Sequence, residues 1–388
     1  MSAKTSRRNI AVVALWYALT TTTGIVSPEI LAALMKAAPH GLGLSVSSAG
    51  LVLTVEMIAN GVLGLAARSF ERFSSRALVV TGFSANLFAN IATAGATGLG
   101  PLIALRVVAG AGLGLVMIAA SRFVAASENP DRLSSVLMVG STILNGAVLI
   151  GFGNLSPSVP TVFGVLAVLA ALGLVTTTFA AGPYAHATVG RTAGSADPSA
   201  RPAVLAVLFL ILATGLLNTA DAGLYTLTSI VGEHVGVGEE MLGYILTGAM
   251  VAGIAAAIAA GWLRTPASRS YGLTASILAK ACVAFALVRV TGVGGFGAMA
   301  TLYSITYFYA APLLLGASAH LDRGGRLAAQ VSGATQVGVA LGPAWAAILD
   351  QLSGTRAVAA VCTTTLVMSA LLCLMPMRIV RGLDHATS

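Results

Sequence analysis

The sequence predicts an all-α integral membrane protein with twelve transmembrane helices in two pseudo-symmetric six-helix bundles. Three observations predict it: the composition, the placement of basic residues, and an internal repeat. Of the 388 residues, 57% are hydrophobic and only 9% are charged, with a mean hydropathy of +0.91. A soluble domain carries about 25% charged residues, so a soluble class is excluded. A helix needs about 20 predominantly apolar residues to cross a hydrocarbon core about 30 Å thick. Reading from polar gap to polar gap places such spans near 10-36, 46-67, 77-95, 100-121, 133-154, 160-181, 203-230, 241-262, 271-290, 295-317, 327-349 and 356-377. A lipid-spanning barrel would show alternating segments of about ten residues. These runs are continuous, so the spans are helices.

The net charge of +8 suggests an anionic partner such as nucleic acid, but the cations follow membrane topology. With both termini inside, sixteen Lys and Arg residues fall at cytoplasmic ends or loops, and three (Lys36, Arg289 and Arg356) fall outside. Arg106 and Lys280 lie within spans. This is the positive-inside pattern, and it argues against nucleic acid and for a bilayer as the partner. Trp16 and Trp262, near cytoplasmic span ends, fit an interfacial belt or ordinary packing. Arg7-Arg8 precede an apolar run too long for a signal-peptide core of about 7–15 residues, so the first span is read as uncleaved. Cys282, Cys362 and Cys373 have no metal-like spacing and read as structural thiols.

The longest polar gap, rich in Gly, Ser, Ala and Pro, divides six spans from six. It defines an N-terminal bundle at 1-181, a cytoplasmic linker at 182-202 and a C-terminal bundle at 203-388. A shift of 193 residues carries Gly50, Leu53, Thr54, Ser75 and Arg76 onto Gly243, Leu246, Thr247, Ser268 and Arg269. A shift of 194 carries Arg132-Leu133 onto Arg326-Leu327. The near-constant offset, with Arg matches at the same loop boundaries, points to a duplicated six-span unit.

Local motifs add to this pattern. Span 4 holds Leu102, Arg106, Gly110 and Gly112, with Ala109 where a Gln would stand; span 11 holds a glycine-proline run from Gly338 through Gly342-Pro343. The 2-3 loop reads Gly64-Leu-Ala-Ala-Arg68-Ser-Phe-Glu71-Arg72. Together with twelve spans in two halves, these residues resemble the major facilitator superfamily over essentially the whole chain. The loop departs from the family pattern, with Arg68 in place of its Asp and Glu71 in place of its Gly. As a gating loop, Arg68, Glu71 and Arg72 therefore either use Glu71 as the acidic latch or serve only to set topology. The resemblance implies alternating access, with spans 1, 4, 7 and 10 lining a central site.

Charged side chains within spans are functional candidates because each costs about 2.5–3.5 kcal/mol at the bilayer centre. Glu29, Glu56, Arg106 and Asp221 are the leading candidates for substrate binding or proton coupling. At about 1.5 Å per residue, Glu29 and Arg106 reach similar depths, so either they form a static pair, or Arg106 attracts a substrate anion or modulates a carboxylate that carries a proton. Pro28 should kink span 1. Glu56 has no basic residue near it in sequence, and Asn60 lies one turn further on. It reads as a proton carrier or as a permanently neutral, hydrogen-bonded acid. Asp221 follows Asn218 and aligns within one residue of Glu29 under the repeat. Lys280, in the peripheral span 9, reads as scaffold. Asn60, Asn145, Asn218, Tyr303, Tyr307 and Gln336 are secondary candidates, while Asn86 and Asn90 read as helix joiners. Gly253, Ala257 and Gly261 form a small-residue seam in span 8.

No zinc-protease, prenyl-diphosphate or phosphate-loop motif is present, so neither an enzyme nor a cofactor is expected. His234, Glu239 and Glu240 read as a solvated outer loop rather than a cation site. The sequence thus points to a monomeric secondary transporter of a small, possibly anionic, organic solute, driven by protons across a bacterial inner membrane. Proton-antiport efflux of amphipathic compounds is the alternative, and a non-transporting sensor or assembly factor is the reading from another class.

Overall fold

The computed structural model describes residues 3–25, 27–36, 41–153, 158–178, 201–263 and 266–387, and among them it holds thirteen α-helices, one 3-10 turn and no strand. The helices are α1 (Ala3–Ile25), α2 (Ser27–Met35), α3 (Val46–Leu65), α4 (Ser75–Ala94), α5 (Leu99–Ala125), α6 (Pro130–Gly153), α7 (Val159–Thr177), α8 (Arg201–His234), α9 (Glu239–Gly261), α10 (Pro266–Leu287), α11 (Val293–Leu321), α12 (Arg326–Ser353) and α13 (Thr355–Thr387). Ten of them are long and apolar enough to cross a membrane. The apolar part of α1, Ile10–Gly24, and α12, diluted by Gln330, Gln336 and Asp350, complete twelve spans.

Two boundaries differ from expectation for physical reasons. The first span is two helices, because Pro28 in the opening turn of α2 lacks the N–H that a continuous helix needs. Helix α8, at 34 residues, outruns the apolar segment that predicts it, since a helix need not stop where lipid stops. Serines make the expected starts. Ser45 accepts from the Ser48 N–H at 3.2 Å, Ser74 from Ala77 at 3.2 Å and Ser158 from Thr161 at 3.3 Å. Residues 179–200, most of the expected linker, lie outside the described residues.

The chain divides into two compact units. The first comprises Met1–Ala126, Leu137–Thr192 and Gly324–Gly333; the second comprises Ser127–Val136, Ala193–Arg323 and Ala334–Ser388. The opening turns of α6 and α12 thus belong to a different unit from the remainder of each helix.

In the first unit, α5 packs on α3 and α4 through glycines. A Cβ on Gly110 would strike the Glu56 carbonyl, one on Gly114 would lie 2.8 Å from the Asn60 oxygen, and one on Gly112 would lie 3.1 Å from the Asn86 nitrogen. Only glycine permits backbones this close. An apolar core of Ile30, Leu34, Val52, Leu102, Val162 and Phe163 joins α2, α3, α5 and α7. Trp16 is buried in this unit and donates from Nε1 to Thr176 Oγ1 at 3.0 Å, so it packs α1 on α7 rather than marking a membrane interface.

In the second unit, α13 packs on α8 and α10, and α9 packs on α11. The predicted seam on α9 is a contact surface: a Cβ on Gly253 would lie 3.0 Å from Cγ of Phe308, and one on Gly261 would lie 2.8 Å from Ser135 Oγ. The glycine-proline run of α12 has the same logic. A Cβ on Gly338 would lie 2.9 Å from the Thr219 nitrogen, and one on Gly342 would lie 2.9 Å from the Gly223 nitrogen.

Gly110→Leu is therefore expected to separate α5 from α3 and to lower the thermal unfolding midpoint of the detergent-purified protein, by an overpacking cost of about 1–3 kcal/mol. Gly100→Leu, at a position with open space around its Cα, is the control and should leave the midpoint unchanged.

Candidate functional site: two buried ion networks

Arg106 anchors the network of the first unit. It is 0% exposed; Nη1 and Nη2 donate to protein partners, and the buried Nε has none among the described residues. Nη1 meets Glu56 Oε2 at 3.3 Å and donates to Asn90 Oδ1 at 2.9 Å. Nη2 donates to the Ala89 carbonyl at 3.1 Å and to Thr93 Oγ1 at 2.6 Å. The Phe163 ring lies 4.6 Å below the guanidinium carbon, a cation–π contact. Glu56, 2% exposed, accepts a further bond from Thr23 Oγ1 at 3.3 Å. The network therefore ties α1, α3, α4, α5 and α7 together.

Local helix geometry explains how these side chains meet. Asn86 and Asn90 are one turn apart on α4, and Asn90 donates to Asn86 Oδ1 at 2.9 Å while Asn86 donates to the Ala109 carbonyl at 3.3 Å. Gly110 and Gly112 remove the side chains that would hold α5 away from α3 and α4, so Arg106, one turn before Gly110, reaches both. Arg106 meets Glu56, which sequence spacing left without a cation, whereas the Glu29 side chain lies outside the described residues.

The second unit holds a network of different design. Lys280 on α10 pairs with Asp221 on α8 and is 1% exposed, whereas the Asp221 side chain is 10% exposed. Tyr303 donates to Asp221 Oδ2 at 3.1 Å. The Lys280 ammonium sits 4.2 Å from the Tyr303 ring centroid and 4.7 Å from that of Tyr307, facing both rings. Tyr303 and Tyr307 are one turn apart on α11, so helical spacing presents both rings to one point. Tyr225, one turn beyond Asp221, is 53% exposed. Pairing between helices is one of the two arrangements that the scaffold reading of Lys280 allows; its partners come from packing, which brings α10 against α8 and α11.

The secondary candidates mostly join helices. Asn145 donates to Thr21 Oγ1 at 2.8 Å and accepts from Thr22 at 2.9 Å, linking α6 to α1. Asn218 donates to the Thr214 carbonyl at 2.9 Å and to Thr335 Oγ1 at 3.3 Å. Asn60 is buried beside the α3–α5 contact, and Gln336 is half-buried on α12.

A third group lies at the ends predicted to be cytoplasmic. Glu71 pairs with Arg326 at 3.4 Å, an exposed contact worth about 0–1 kcal/mol. Arg72 lies 5.0 Å over the Phe73 ring, and Arg68 is exposed. Arg122, which the sequence assigns only a topological role, donates to the Phe73 and Phe70 carbonyls at 2.7 and 2.8 Å and so holds this loop. Sequence reasoning missed Asp131. It is buried at the start of α6, with Arg269 Nε at 3.0 Å and His320 Nε2 at 3.1 Å from its Oδ2. The signal was an acidic residue at an otherwise basic span boundary.

These features define a class: a polytopic helical membrane protein in which, among the described residues, Arg106 pairs with Glu56 in one compact unit and Lys280 with Asp221 in the other. Its fold is that of the major facilitator superfamily. The human organic anion transporter MFSD10 (TETRAN) aligns over 96% of this chain and 100% of its own, with a TM-score of 0.77 at 15% identity. A variant of the E. coli fucose:proton symporter FucP aligns over 97% of both chains, with a TM-score of 0.68 at 16% identity. FucP in its outward conformation also aligns over 97% of both chains, with a TM-score of 0.65 at 15% identity. No protein-family model and no curated protein sequence matches the chain.

Breaking the Arg106–Glu56 pair leaves a buried charge uncompensated, which costs about 3–5 kcal/mol in a protein interior. Arg106→Met and Glu56→Leu should each lower the thermal unfolding midpoint sharply, and the Arg106→Met/Glu56→Leu double variant should recover most of the loss. Additive losses would mean that the two side chains act independently.

Proposed function

We propose that the protein is a secondary active transporter that moves a small organic solute across a bacterial inner membrane by alternating access and couples that movement to protons. The N-terminal bundle at 1-181 and the C-terminal bundle at 203-388, joined by the linker at 182-202, act as its two moving halves, with both termini cytoplasmic. The carrying observation is the Asp221–Lys280 pair. It combines two titratable groups inside membrane-spanning helices with a buried carboxylate whose side chain keeps 10% exposure. Sharing a fold with a fucose:proton symporter and an organic anion transporter supports this reading.

Asp221 and Lys280 carry the coupling. While both are charged they neutralise each other, so the unit holds no net charge there. Protonating Asp221 or deprotonating Lys280 breaks that balance and changes what the site can accept. Glu56 and Arg106 serve instead as the brace of the first unit, because Nη1 and Nη2 of the 0%-exposed Arg106 tie Glu56 on α3 to Ala89, Asn90 and Thr93 on α4.

A non-transporting sensor with the same fold is the second reading, and the sealing of Glu56 and Arg106 favours it. Vesicle transport separates the two. The assay uses a solute chosen for its thermal stabilisation of the purified protein. The reconstituted native chain should accumulate that solute under an imposed proton gradient. Asp221→Asn should abolish accumulation while the variant still inserts and unfolds cooperatively. Absence of accumulation in the native chain would favour the sensor, and normal accumulation in Asp221→Asn would remove coupling through this pair.

A further inference from the structure

The ammonium of Lys280 occupies a place built for a positive charge. One carboxylate, Asp221, pairs with it, and the faces of Tyr303 and Tyr307 converge on it at 4.2 and 4.7 Å. A carboxylate with two aromatic faces is the arrangement by which proteins bind organic ammonium ions. Here the occupant is tethered, delivered from α10 on a flexible four-carbon stem.

Exposure decides which kind of solute can enter. The Lys280 side chain is 1% exposed and that of Asp221 10%, with the half-exposed Tyr225 one turn beyond it on α8. An arriving solute thus meets a negative carboxylate and negative ring faces before it meets Lys280. That order repels an anion and attracts a cation.

We infer that the Asp221–Tyr303–Tyr307 box is the binding site of a monovalent organic ammonium substrate, for which Lys280 is the built-in surrogate. The box holds one positive charge at a time. When the substrate enters, the Lys280 ammonium releases its proton to water and the neutral amine withdraws. When the substrate leaves, the amine takes a proton and returns to the box. The site stays neutral in both states, one proton exchanges for one cation, and the result is antiport. This rests on the proposal that proton coupling runs through the Asp221–Lys280 pair, and it adds the substrate class and the sense of exchange.

Among the described residues, the titratable groups around the ammonium are Asp221 and Tyr225 from α8, Tyr303 and Tyr307 from α11, and, from α13, Cys362, whose Sγ lies 3.5 Å from the Ala220 carbonyl beside Asp221.

The test is equilibrium binding of benzyltrimethylammonium, a permanently charged probe, to the full-length purified protein without any gradient, so transport competence does not enter. Calorimetry in two buffers of different ionisation enthalpy should show close to one proton released per cation bound, with affinity rising up to about tenfold per pH unit as pH increases. Lys280→Met, which empties the box, should bind the probe at least about tenfold more tightly at a pH where Asp221 is ionised. Asp221→Asn should weaken binding by about a hundredfold, and Tyr307→Leu by about tenfold.

Failure of the native chain and of Lys280→Met to bind the probe overturns the inference. So does binding without proton release in the native chain. Binding of benzoate that strengthens as pH falls and disappears in Lys280→Met would also overturn it, by assigning the site to an anion. If Lys280→Met does not fold, the proton count in the native chain and the loss in Tyr307→Leu decide the matter. Because binding is measured without a gradient, failure of vesicle transport with intact binding would sink the transport proposal and leave the box standing.

Discussion

Every charge placed inside the bilayer must find an opposite charge or a set of hydrogen-bond partners, and the packing of this protein is organised to supply them. A membrane interior offers no water to compensate a bare guanidinium or carboxylate. The first unit meets the demand of Arg106 by drawing on Glu56, Asn90, Thr93 and the Ala89 carbonyl from two neighbouring helices. Those partners can be reached only because glycines at 110 and 112 let α5 approach α3 and α4 backbone to backbone. Small residues and buried charge are thus two sides of one constraint, since the charge requires contact and the glycines allow it.

The two units satisfy the same constraint in different ways, and the difference separates brace from working site. In the first unit the cation is a guanidinium, which stays charged and fixes several acceptors at once. A group so engaged holds helices together and has little capacity left for an exchangeable ligand. In the second unit the cation is an ammonium, a point charge on a flexible stem, with one carboxylate and two ring faces. An ammonium can lose its proton and move, and the carboxylate beside it is the more accessible partner. The distribution of chemistry between units therefore carries more functional information than the number of buried charges.

The candidate residues were legible in the sequence to different depths. Arg106 and Asp221 stood out because any charge inside an apolar run is conspicuous. Glu56 and Lys280 stood out for the same reason, but which charges pair was not legible. Glu56 and Arg106 are separated by 50 positions, and Asp221 and Lys280 by 59. Lys280 looked peripheral because a span's number does not say which way a long side chain leans. Asp131 escaped attention because it sits at a span boundary, where acidic residues are ordinarily solvated, and only the burial of that boundary beside Arg269 and His320 sets it apart.

Hydropathy, the cytoplasmic bias of Lys and Arg and the offset of about 193 residues were enough to determine a helical membrane protein of twelve spans with an internal repeat. These are one-dimensional properties, read by the bilayer from composition and order alone. The tertiary structure decided which charges meet, which glycines serve as contact points, and that Arg106 is 0% exposed while the Asp221 side chain keeps 10% exposure. Those outcomes depend on the rotation and separation of neighbouring helices. Both are set by side chains far apart in the chain, and no local pattern encodes them.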